Sequence, residues 1–431
     1  CKLGPNSATM PVTPRPATKR YRFPSLSRWR LKVSMAKSMN LQTWLLLGMA
    51  REARDGQRES DRMRELLVML LCLSGGVSVT AAYKALPRRQ STTEGAIHDV
   101  DFYDNMTFYE QFRFEKPQFW QVLSAMQWLR ADGAPRVMAI GKEKHRMWVR
   151  TDHIFMVFLR RLSYPARWNN LKKILGGSRA SLSQIYNWAL RYIYSVFCPL
   201  VEDIHIWKHR FPMFARRLSD MGAAFDNLIA FFDGHFDPTA RPSGDGAIHP
   251  TLKDYQTYSF LHSAHGFMYQ AAILPNGMSL CWGPYLGKDH DAKTYLWTDI
   301  LTDLMNIAEE LNRVFSLFAD SAYPRSRFMQ VILKANPGGQ LSRAERRYNV
   351  LMQRFRIVIE NLFSEVTTYW HTLQLATNKK IGKQDIARMF PCCVWLHNVR
   401  TIFAGNQTSA YFGHDLIAQE SLEQYLSYAF S

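Results

Sequence analysis

Residues 227–242 read NLIAFFDGHFDPTARP, and this stretch decides how the second half of the chain is interpreted. Its five consecutive apolar residues, Leu228 to Phe232, predict a buried strand that leads directly into Asp233 and Gly234. A carboxylate in a buried position is strongly unfavourable unless a partner compensates its charge. The segment therefore predicts that distant parts of the chain, or bound cations, meet Asp233.

The composition is typical of packed domains with an anionic partner. The 431 residues are 47% hydrophobic and 13% aromatic, which excludes a disordered chain. The formal net charge of +18 favours nucleic acid, ahead of an anionic membrane surface. The six cysteines show no metal-binding spacing, and we interpret them as reduced, intracellular thiols. The longest apolar runs, 41–50 and 66–76, are too short to cross a bilayer, so neither a transmembrane helix nor a membrane partner is predicted.

Changes of composition predict four regions. Region 1–99 is interpreted as a basic, largely disordered arm and linker, because its first fifty residues contain nine Lys or Arg and no Asp or Glu. An organelle transit peptide has a similar composition. Region 100–222 is predicted to be an all-helical, DNA-binding domain, 223–405 an α/β catalytic domain and 406–431 a C-terminal tail.

The helical region contains a candidate DNA-reading unit. Three helices between 151 and 197 are predicted, with breaks at 164–165 and 176–177, and Ser181 with Gln184 indicates a capping box in the third. Apolar residues repeat along one face of this helix and leave a polar face, as a helix-turn-helix reader requires. The candidate DNA contacts on it are Arg179, Asn187 and Arg191. A three-helix packing unit with a solvated face explains the same pattern equally well.

The second half alternates strands and helices. In order, the patterns predict a strand ending at Asp233, a hairpin around Pro275-Asn276-Gly277, a helix at 293–313, a strand ending at Asp320, a strand at 328–333, and a helix at 342–370 that carries Glu360. In an RNase H-like fold the first and fourth strands are neighbours and a helix packs across them. The predicted fold class is therefore α/β: an RNase H-like mixed sheet with flanking helices, preceded by an all-helical, helix-turn-helix-like domain.

That order brings three acids to one edge of the sheet. Asp233, Asp320 and Glu360 would supply hard oxygen ligands, so the expected cofactors are two divalent ions, Mg²⁺ or Mn²⁺. Among the other carboxylates, Asp237 is interpreted as a loop residue. His290 and Asp291 are interpreted as supporting or structural residues.

Six ordered blocks resemble those of PIF/Harbinger-type transposases, which are DDE-superfamily endonucleases. The blocks read FFDGHFDPTARP, HGFMYQ, GPYLGKDHDA, ADSAYP, RIVIENLFSEV and WLHNVR, and with LRRLSYPARW the resemblance extends over roughly 100–405. It implies that Asp233, Asp320 and Glu360 are the catalytic and metal-binding acids. Only the match to Ile-Glu-Asn selects Glu360 over Glu365, which lies on the same helix.

The chain departs from the family pattern in three places. It has His235 where Thr is usual, Ser263-Ala264 where lysines are usual, and Ser364 where Gly is usual. No departure removes an acid, so they bear on phosphate contacts rather than on metal binding.

The resemblance implies a nuclease that cuts phosphodiester bonds at transposon ends and joins the 3′-OH ends to target DNA. The partners implied are double-stranded DNA, as terminal inverted repeats and target, and a Myb-like accessory DNA-binding protein in the nucleus. The oligomeric state stays open, with a homo-oligomer among the alternatives. Further basic candidates for DNA contacts are Arg343, Arg346, Arg347, Arg354 and Arg356 on or before the Glu360 helix, and Lys379, Lys380 and Lys383 after it.

Two other functions remain compatible with the sequence. A domesticated DNA-binding protein would retain the nuclease fold without transposition. An unrelated metal-dependent hydrolase would act on a small phosphate ester, although the net charge of +18 favours DNA.

Overall fold

The computed structural model of the chain describes residues 97–143, 146–242, 247–249, 252–381 and 384–431. The chain divides into two units, and all of these residues belong to the second, Thr93–Ser431. The predicted basic arm and linker, 1–99, thus lies outside the described residues except for its last three, and Lys383 lies outside them as well.

The described residues form fourteen helices and ten strands. The helices are α1 Asn105–Phe112, α2 Lys116–Ala125, α3 Thr151–Ser163, α4 Trp168–Leu175, α5 Arg179–Phe197, α6 Pro199–Glu202, α7 Phe211–Asp220, α8 Asp254–Thr257, α9 Asp291–Tyr295, α10 Ile300–Glu310, α11 Arg343–Tyr369, α12 Met389–Ala404, α13 Gln407–Phe412 and α14 Leu422–Ser427. The strands are β1 Val137–Ile140, β2 Met147–Arg150, β3 Leu228–Thr239, β4 Ala247–His249, β5 Leu252–Lys253, β6 Tyr258–Ser259, β7 Ala264–Ile273, β8 Ser279–Leu286, β9 Ser316–Ala319 and β10 Met329–Val331.

The segment 100–222 is mostly helical but not all-helical. Strands β1 and β2 pair antiparallel, with Val137 opposite Arg150 and Ile140 opposite Met147. Short runs of β-branched and large apolar residues such as VMAI and MWVR favour a hairpin over a helix when only alternate residues can be buried. The prediction of an all-helical segment is therefore wrong at this hairpin.

The three helices predicted between 151 and 197 are present as α3, α4 and α5, separated at the two expected breaks. Every residue of α3 is buried, so this helix lies at the centre of the packing and not on a solvated surface. The predicted capping box was misplaced. The N-cap of α5 is Ser178, whose hydroxyl accepts from the Ser181 N–H, while the Ser181 hydroxyl accepts from the Ser178 N–H.

The large sheet is mixed. Its strand order is β10-β9-β3-β7-β6, and β8 also pairs with β7. Strand β7 is antiparallel to β3, β6 and β8, whereas β3 and β10 both run parallel to β9. The predicted hairpin around 275–277 is the β7–β8 connection, and the first strand is a neighbour of the strand that leads to Asp320, as predicted.

Helices cover both faces of this sheet and position its edge. Helix α11 packs on β3 and β7, α7 packs on β3, and α12 packs on β8 and on α5. The helix predicted over 293–313 is two helices, α9 and α10, with an interruption at 296–299. Among the described residues, no helix has the length and apolar character needed to cross a lipid bilayer.

Candidate active site

The first two predicted acids lie level with each other, Asp233 on β3 and Asp320 directly after the neighbouring strand β9. The last registered pair between β3 and β9 joins Phe231 to Phe318, and Asp233 and Asp320 each follow that pair by two residues. Residues at equal register on parallel strands face the same side of the sheet. Strand β9 ends at Ala319, which opens the β9 side of β3 beside Asp233. This break in the pairing creates room for a site.

Strand β3 is longer than the sequence predicted. It does not end at Asp233 but continues to Thr239, because β7 pairs with it throughout, from Phe231 opposite Ile273 to Thr239 opposite His265. Asp237 is therefore a buried strand residue, and its interpretation as a loop residue was wrong.

Helix α11 brings the third acid to the same place. Arg356 Nη2 donates to Asp233 Oδ2 at 2.5 Å, and Arg356 Nη1 donates to Glu360 Oε1 at 3.1 Å. The side chain of Asp233 is 16% exposed and that of Glu360 is 57% exposed. The structure thus joins Asp233 and Glu360 through one guanidinium. Arg356, predicted as a contact for substrate charge, is engaged inside the acid group instead.

The surroundings of Asp233 shift its pKa. Burial raises the pKa of Asp233 and the Asp291 carboxylate raises it further, while Arg356 and the Gly234 N–H oppose the rise. Asp320 is held differently: its Oδ1 accepts from the Ser321 N–H at 2.6 Å and from the Ser321 hydroxyl at 3.1 Å. The small residue after each aspartate thus supplies a backbone donor.

A fourth carboxylate, that of Asp291, reaches the site; from the sequence it was interpreted as a supporting or structural residue. A Cβ built on Gly234 would lie 1.9 Å from Asp291 Oδ1, so the carboxylate lies directly against the backbone beside Asp233. Burial raises the pKa of Asp291, and Asp320 adds to that rise. Asp291 belongs to the GKDHDA block, and the small residue after Asp233 was the signal that another group approaches there.

Gln270 connects several of the sequence blocks around these acids. Its Nε2 donates to Thr294 Oγ1 at 2.7 Å and more weakly to Asp291 Oδ1 at 3.4 Å, while its Oε1 accepts from the Tyr323 hydroxyl at 2.7 Å. Burial raises the pKa of Tyr323, and the neighbouring aspartates raise it further, so its hydroxyl stays a donor. The HGFMYQ, GKDHDA and ADSAYP blocks are therefore parts of one hydrogen-bonded support.

The basic residues after α11 do not all face solvent. Lys379 is completely buried, where its ammonium group pairs with Asp237 and also donates to the Leu373 carbonyl at 2.7 Å. Its interpretation as a DNA contact was wrong, because this charge is neutralised in the core. Lys380, by contrast, is exposed. His235 stacks on Phe390 and lies at a tilt against Phe363, and burial lowers its pKa to about 3, which keeps the ring neutral.

The late WLHNVR block is structural. His397 Nε2 lies 3.0 Å from Glu365 Oε2, and Glu365 Oε1 accepts from the Gln407 N–H that begins α13. Asn398 accepts from the Ser279 N–H and donates to the Ser279 carbonyl, both at 2.8 Å, which attaches α12 to β8. Glu365 is thus occupied by packing partners on α12 and α13.

The candidate DNA contacts fall on two surfaces. Those on α11 other than Arg356 are exposed, and two of them bond backbone carbonyls: Arg346 reaches Leu341 O at 2.5 Å and Arg354 reaches Met221 O at 2.6 Å. The exposed members of this set are Arg343, Arg346, Arg347 and Arg354. On α5, Arg179 is exposed and Asn187 is half-buried, whereas Arg191 forms a 2.5 Å ion pair with Asp385.

The donor chemistry of the acids suits a hard divalent ion. Carboxylate oxygens are the ligands that Mg²⁺ and Mn²⁺ prefer, and Asp233, Asp320 and Glu360 supply oxygens of this kind. In the described part of the chain, no group of three or more His, Cys, Asp or Glu side chains is arranged so that it could hold a metal ion. The guanidinium of Arg356 lies between two of the acids instead.

Comparison with known proteins supports a nuclease. Residues 238–398 match the family model described as DDE superfamily endonuclease, a range that includes Asp320 and Glu360 and begins five residues after Asp233. No curated protein and no solved structure matches the chain. The mixed sheet with flanking helices is compatible with a DDE nuclease fold. Residues 238–398 are thus similar to DDE superfamily endonucleases, and this similarity supports a nuclease that acts on DNA.

Proposed function

We propose that the chain is a PIF/Harbinger-type DDE transposase with an RNase H-like catalytic domain. The observation that carries the proposal is the equal register of Asp233 on β3 and Asp320 directly after β9, with Glu360 joined to Asp233 through Arg356 on α11, which packs on β3 and β7. The sheet order β8-β7-β3-β9-β10 supports the RNase H-like fold, because the antiparallel run β8-β7-β3 continues into the parallel strands β9 and β10, with the strand that carries Asp233 in the middle.

In this proposal the acids hold two divalent ions, Mg²⁺ or Mn²⁺. When bound, such ions activate a water for in-line attack on phosphorus and stabilise the departing 3′ oxygen, which leaves a 5′-phosphate and a free 3′-OH. Asp233 and Asp320 are fixed by the strands and by the backbone donors after them, so they are held without a large loss of side-chain entropy. The freed 3′-OH would then attack a phosphorus of the target DNA at the same site, where the new phosphodiester bond forms as the bond to the target's own 3′ oxygen breaks and a target 3′-OH leaves.

The DNA would be double-stranded, first the terminal inverted repeats and then the target. The exposed arginines at the start of α11 are suited to phosphates, and the charge of +18 supports long-range attraction. We also propose residence in the nucleus and a Myb-like accessory protein that supplies sequence reading, because α5 offers few free side chains for base edges. The helix-turn-helix role of α4 and α5 belongs to this proposal.

The test is a nicking assay with Mg²⁺ on terminal-repeat DNA, run beside a small chromogenic phosphodiester. Asp233→Asn, Asp320→Asn and Glu360→Gln should each remove cleavage of DNA while binding persists, because a carboxylate also repels phosphate. Glu365→Gln is the matched control on the same helix and should retain cleavage. Loss of cleavage in Glu365→Gln together with activity in Glu360→Gln would overturn the assignment.

The same assay separates the other functions. A domesticated protein would bind DNA without cutting it, and a small-ester hydrolase would cut only the chromogenic substrate. The partner is tested by titrating the purified chain alone onto repeat-end and scrambled duplexes near physiological salt. A preference of about a thousandfold for the repeat end, roughly 4 kcal/mol, would show that recognition needs no partner.

A further inference from the structure

Arg356 pairs with two of the three proposed catalytic acids. It lies one helical turn before Glu360 on α11, and its two terminal nitrogens bond carboxylates on different elements, Asp233 of β3 and Glu360 of α11. Its side chain is only 22% exposed. Arg356 therefore bridges β3 and α11 at the place where Asp233 and Glu360 face one another.

The hydrogen-bond donors of the Arg356 guanidinium are not all used. Its Nε–H is buried and has no hydrogen-bond acceptor, although a guanidinium offers five donors. The carboxylates of Asp320 and Asp291 also remain near the site, and the Asp320 charge is close enough to favour the protonated form of Arg356. A divalent ion among the same oxygens would compensate more of the negative charge of these carboxylates than one monovalent guanidinium does.

We propose that Arg356 is an internal cation that competes with divalent metal for Asp233 and Glu360 and must leave them before the site can be loaded. This inference rests on the proposed function, since it assumes that these acids bind metal at all. Arg356 is thereby a positioning residue: it sets the metal affinity of the acids and stabilises them when no ion is bound. Metal binding then breaks two charge-assisted hydrogen bonds, which weakens the apparent affinity.

The direct test measures Mn²⁺ binding to the full chain without DNA, from the electron paramagnetic resonance signal of free Mn²⁺. Arg356→Gln removes the competing charge and should lower the Kd for Mn²⁺ by about tenfold, the scale expected for a hydrogen bond to a charged group. Arg356→Lys keeps a positive charge and should stay near the wild-type Kd. Arg217→Gln is the matched control, because it breaks a 2.5 Å pair with Asp415 at another part of the surface.

A second measurement needs no variant and therefore does not depend on the folding of Arg356→Gln. The wild-type chain is treated with phenylglyoxal, which labels accessible arginines, with and without saturating Mn²⁺, and the labelled residues are located by mass spectrometry. Mn²⁺ should increase the labelling of Arg356 severalfold and leave that of Arg217 unchanged.

The outcomes distinguish this inference from the function on which it rests. Equal Mn²⁺ affinity in wild type and Arg356→Gln, or labelling of Arg356 that Mn²⁺ does not change, would overturn the competition while leaving the nuclease proposal intact. Absence of Mn²⁺ binding in both wild type and variant would overturn both.

Discussion

The carboxylate of Asp291 lies against the Cα of Gly234, so close that a Cβ at position 234 would be 1.9 Å from Oδ1 and 2.7 Å from Cγ. Contacts under about 3 Å between such atoms do not occur without movement of one group. Position 234 follows Asp233 directly, so any movement of the strand or of Asp291 changes the candidate active site. This relationship explains why a residue without a side chain follows the first acid.

Gly234→Ala should therefore destabilise the chain by about 1–3 kcal/mol, as overpacking does elsewhere, and should also reduce DNA nicking because Asp291 and Asp233 are pushed apart. The checks are a denaturant midpoint and a nicking rate with Mg²⁺. Gly339→Ala is the control, since its added Cβ meets nothing closer than 3.4 Å. Wild-type stability and nicking in Gly234→Ala would show that the close contact has no role.

Asp291→Asn should have opposite effects on stability and on activity. The carboxylate is partly buried beside other acids and has one weak hydrogen bond, from Gln270 at 3.4 Å, so an amide of the same shape removes repulsion. With chelator present, the variant should be more stable by about 1 kcal/mol, while nicking with Mg²⁺ should fall.

Asp289→Asn is the matched control for Asp291→Asn, two residues away. Asp289 is buried and bonded to Lys293 at 2.5 Å, so its amide loses an ion pair and should lower the denaturant midpoint. If both amides shift the midpoint in the same direction, the repulsion assigned to Asp291 does not exist.

The pair of Lys379 and Asp237 should be essential to the fold. Both side chains are buried, so Lys379→Met leaves an uncompensated carboxylate and should cost about 3–5 kcal/mol in the free energy of unfolding. The double variant Asp237→Asn with Lys379→Met should recover part of that loss. Lys380→Met, at an exposed neighbouring position, should have little effect, and an equally small loss in Lys379→Met would contradict the burial of this charge.

Glu365 should make the stability depend on pH in a defined direction. Burial alone would raise the pKa of Glu365, but the hydrogen bond and charge of His397, with the Gln407 N–H, hold it below its ordinary value. A carboxylate with a lowered folded pKa contributes stability above its unfolded pKa and loses it as the pH falls through the folded pKa.

The stability difference between wild type and Glu365→Gln should thus be about 1.5–3 kcal/mol at neutral pH and should vanish in acid, below the ordinary range of a glutamate. Urea unfolding at several pH values measures it. Glu309→Gln, at an exposed site on α10, serves as the control and should show no such dependence. A constant difference across the pH range would mean that the carboxylate charge is not involved.

The features that could be predicted from the sequence were those set by local residue patterns. The acids Asp233 and Asp320 followed apolar runs of strand length, and the β7–β8 hairpin followed from Pro275-Asn276-Gly277, because both patterns act within a few residues. The full length of β3 could not be predicted. Strand β7 pairs with it past Pro238, and the missing N–H donor of this proline is tolerated because β9 has already ended on the other side.

The partners of the acids were beyond sequence reasoning for a different reason. Lys379 lies 142 residues from Asp237 and Arg356 lies 123 residues from Asp233, and no period or spacing relates such positions. From the sequence alone, Arg356 and Lys379 were both interpreted as exposed charges that contact DNA. Only the packing of α11 and of the segment after it against β3 converts them into partners of buried carboxylates.

The DNA contacts provide the last prediction. Asn187→Ala on α5 should weaken DNA binding, as should Arg191→Ala, if this helix reads DNA as a helix-turn-helix unit does. Arg343→Ala and Arg346→Ala, at the start of α11, should instead lower the slope of log affinity against log salt by about one each, because they would contact phosphates. Fluorescence anisotropy across a salt series measures both effects.

Arg191 needs a control of its own because it forms an ion pair with Asp385, which Arg388 also contacts at 3.1 Å. A loss of binding in Arg191→Ala could arise from loosening that contact, and Asp385→Asn loosens it while keeping the arginine. DNA affinity should be retained or increased in Asp385→Asn, since the guanidinium is released. If Asn187→Ala and Arg191→Ala both bind DNA as wild type does, helices α3 to α5 are a packing or dimerisation unit and the reading of DNA lies elsewhere.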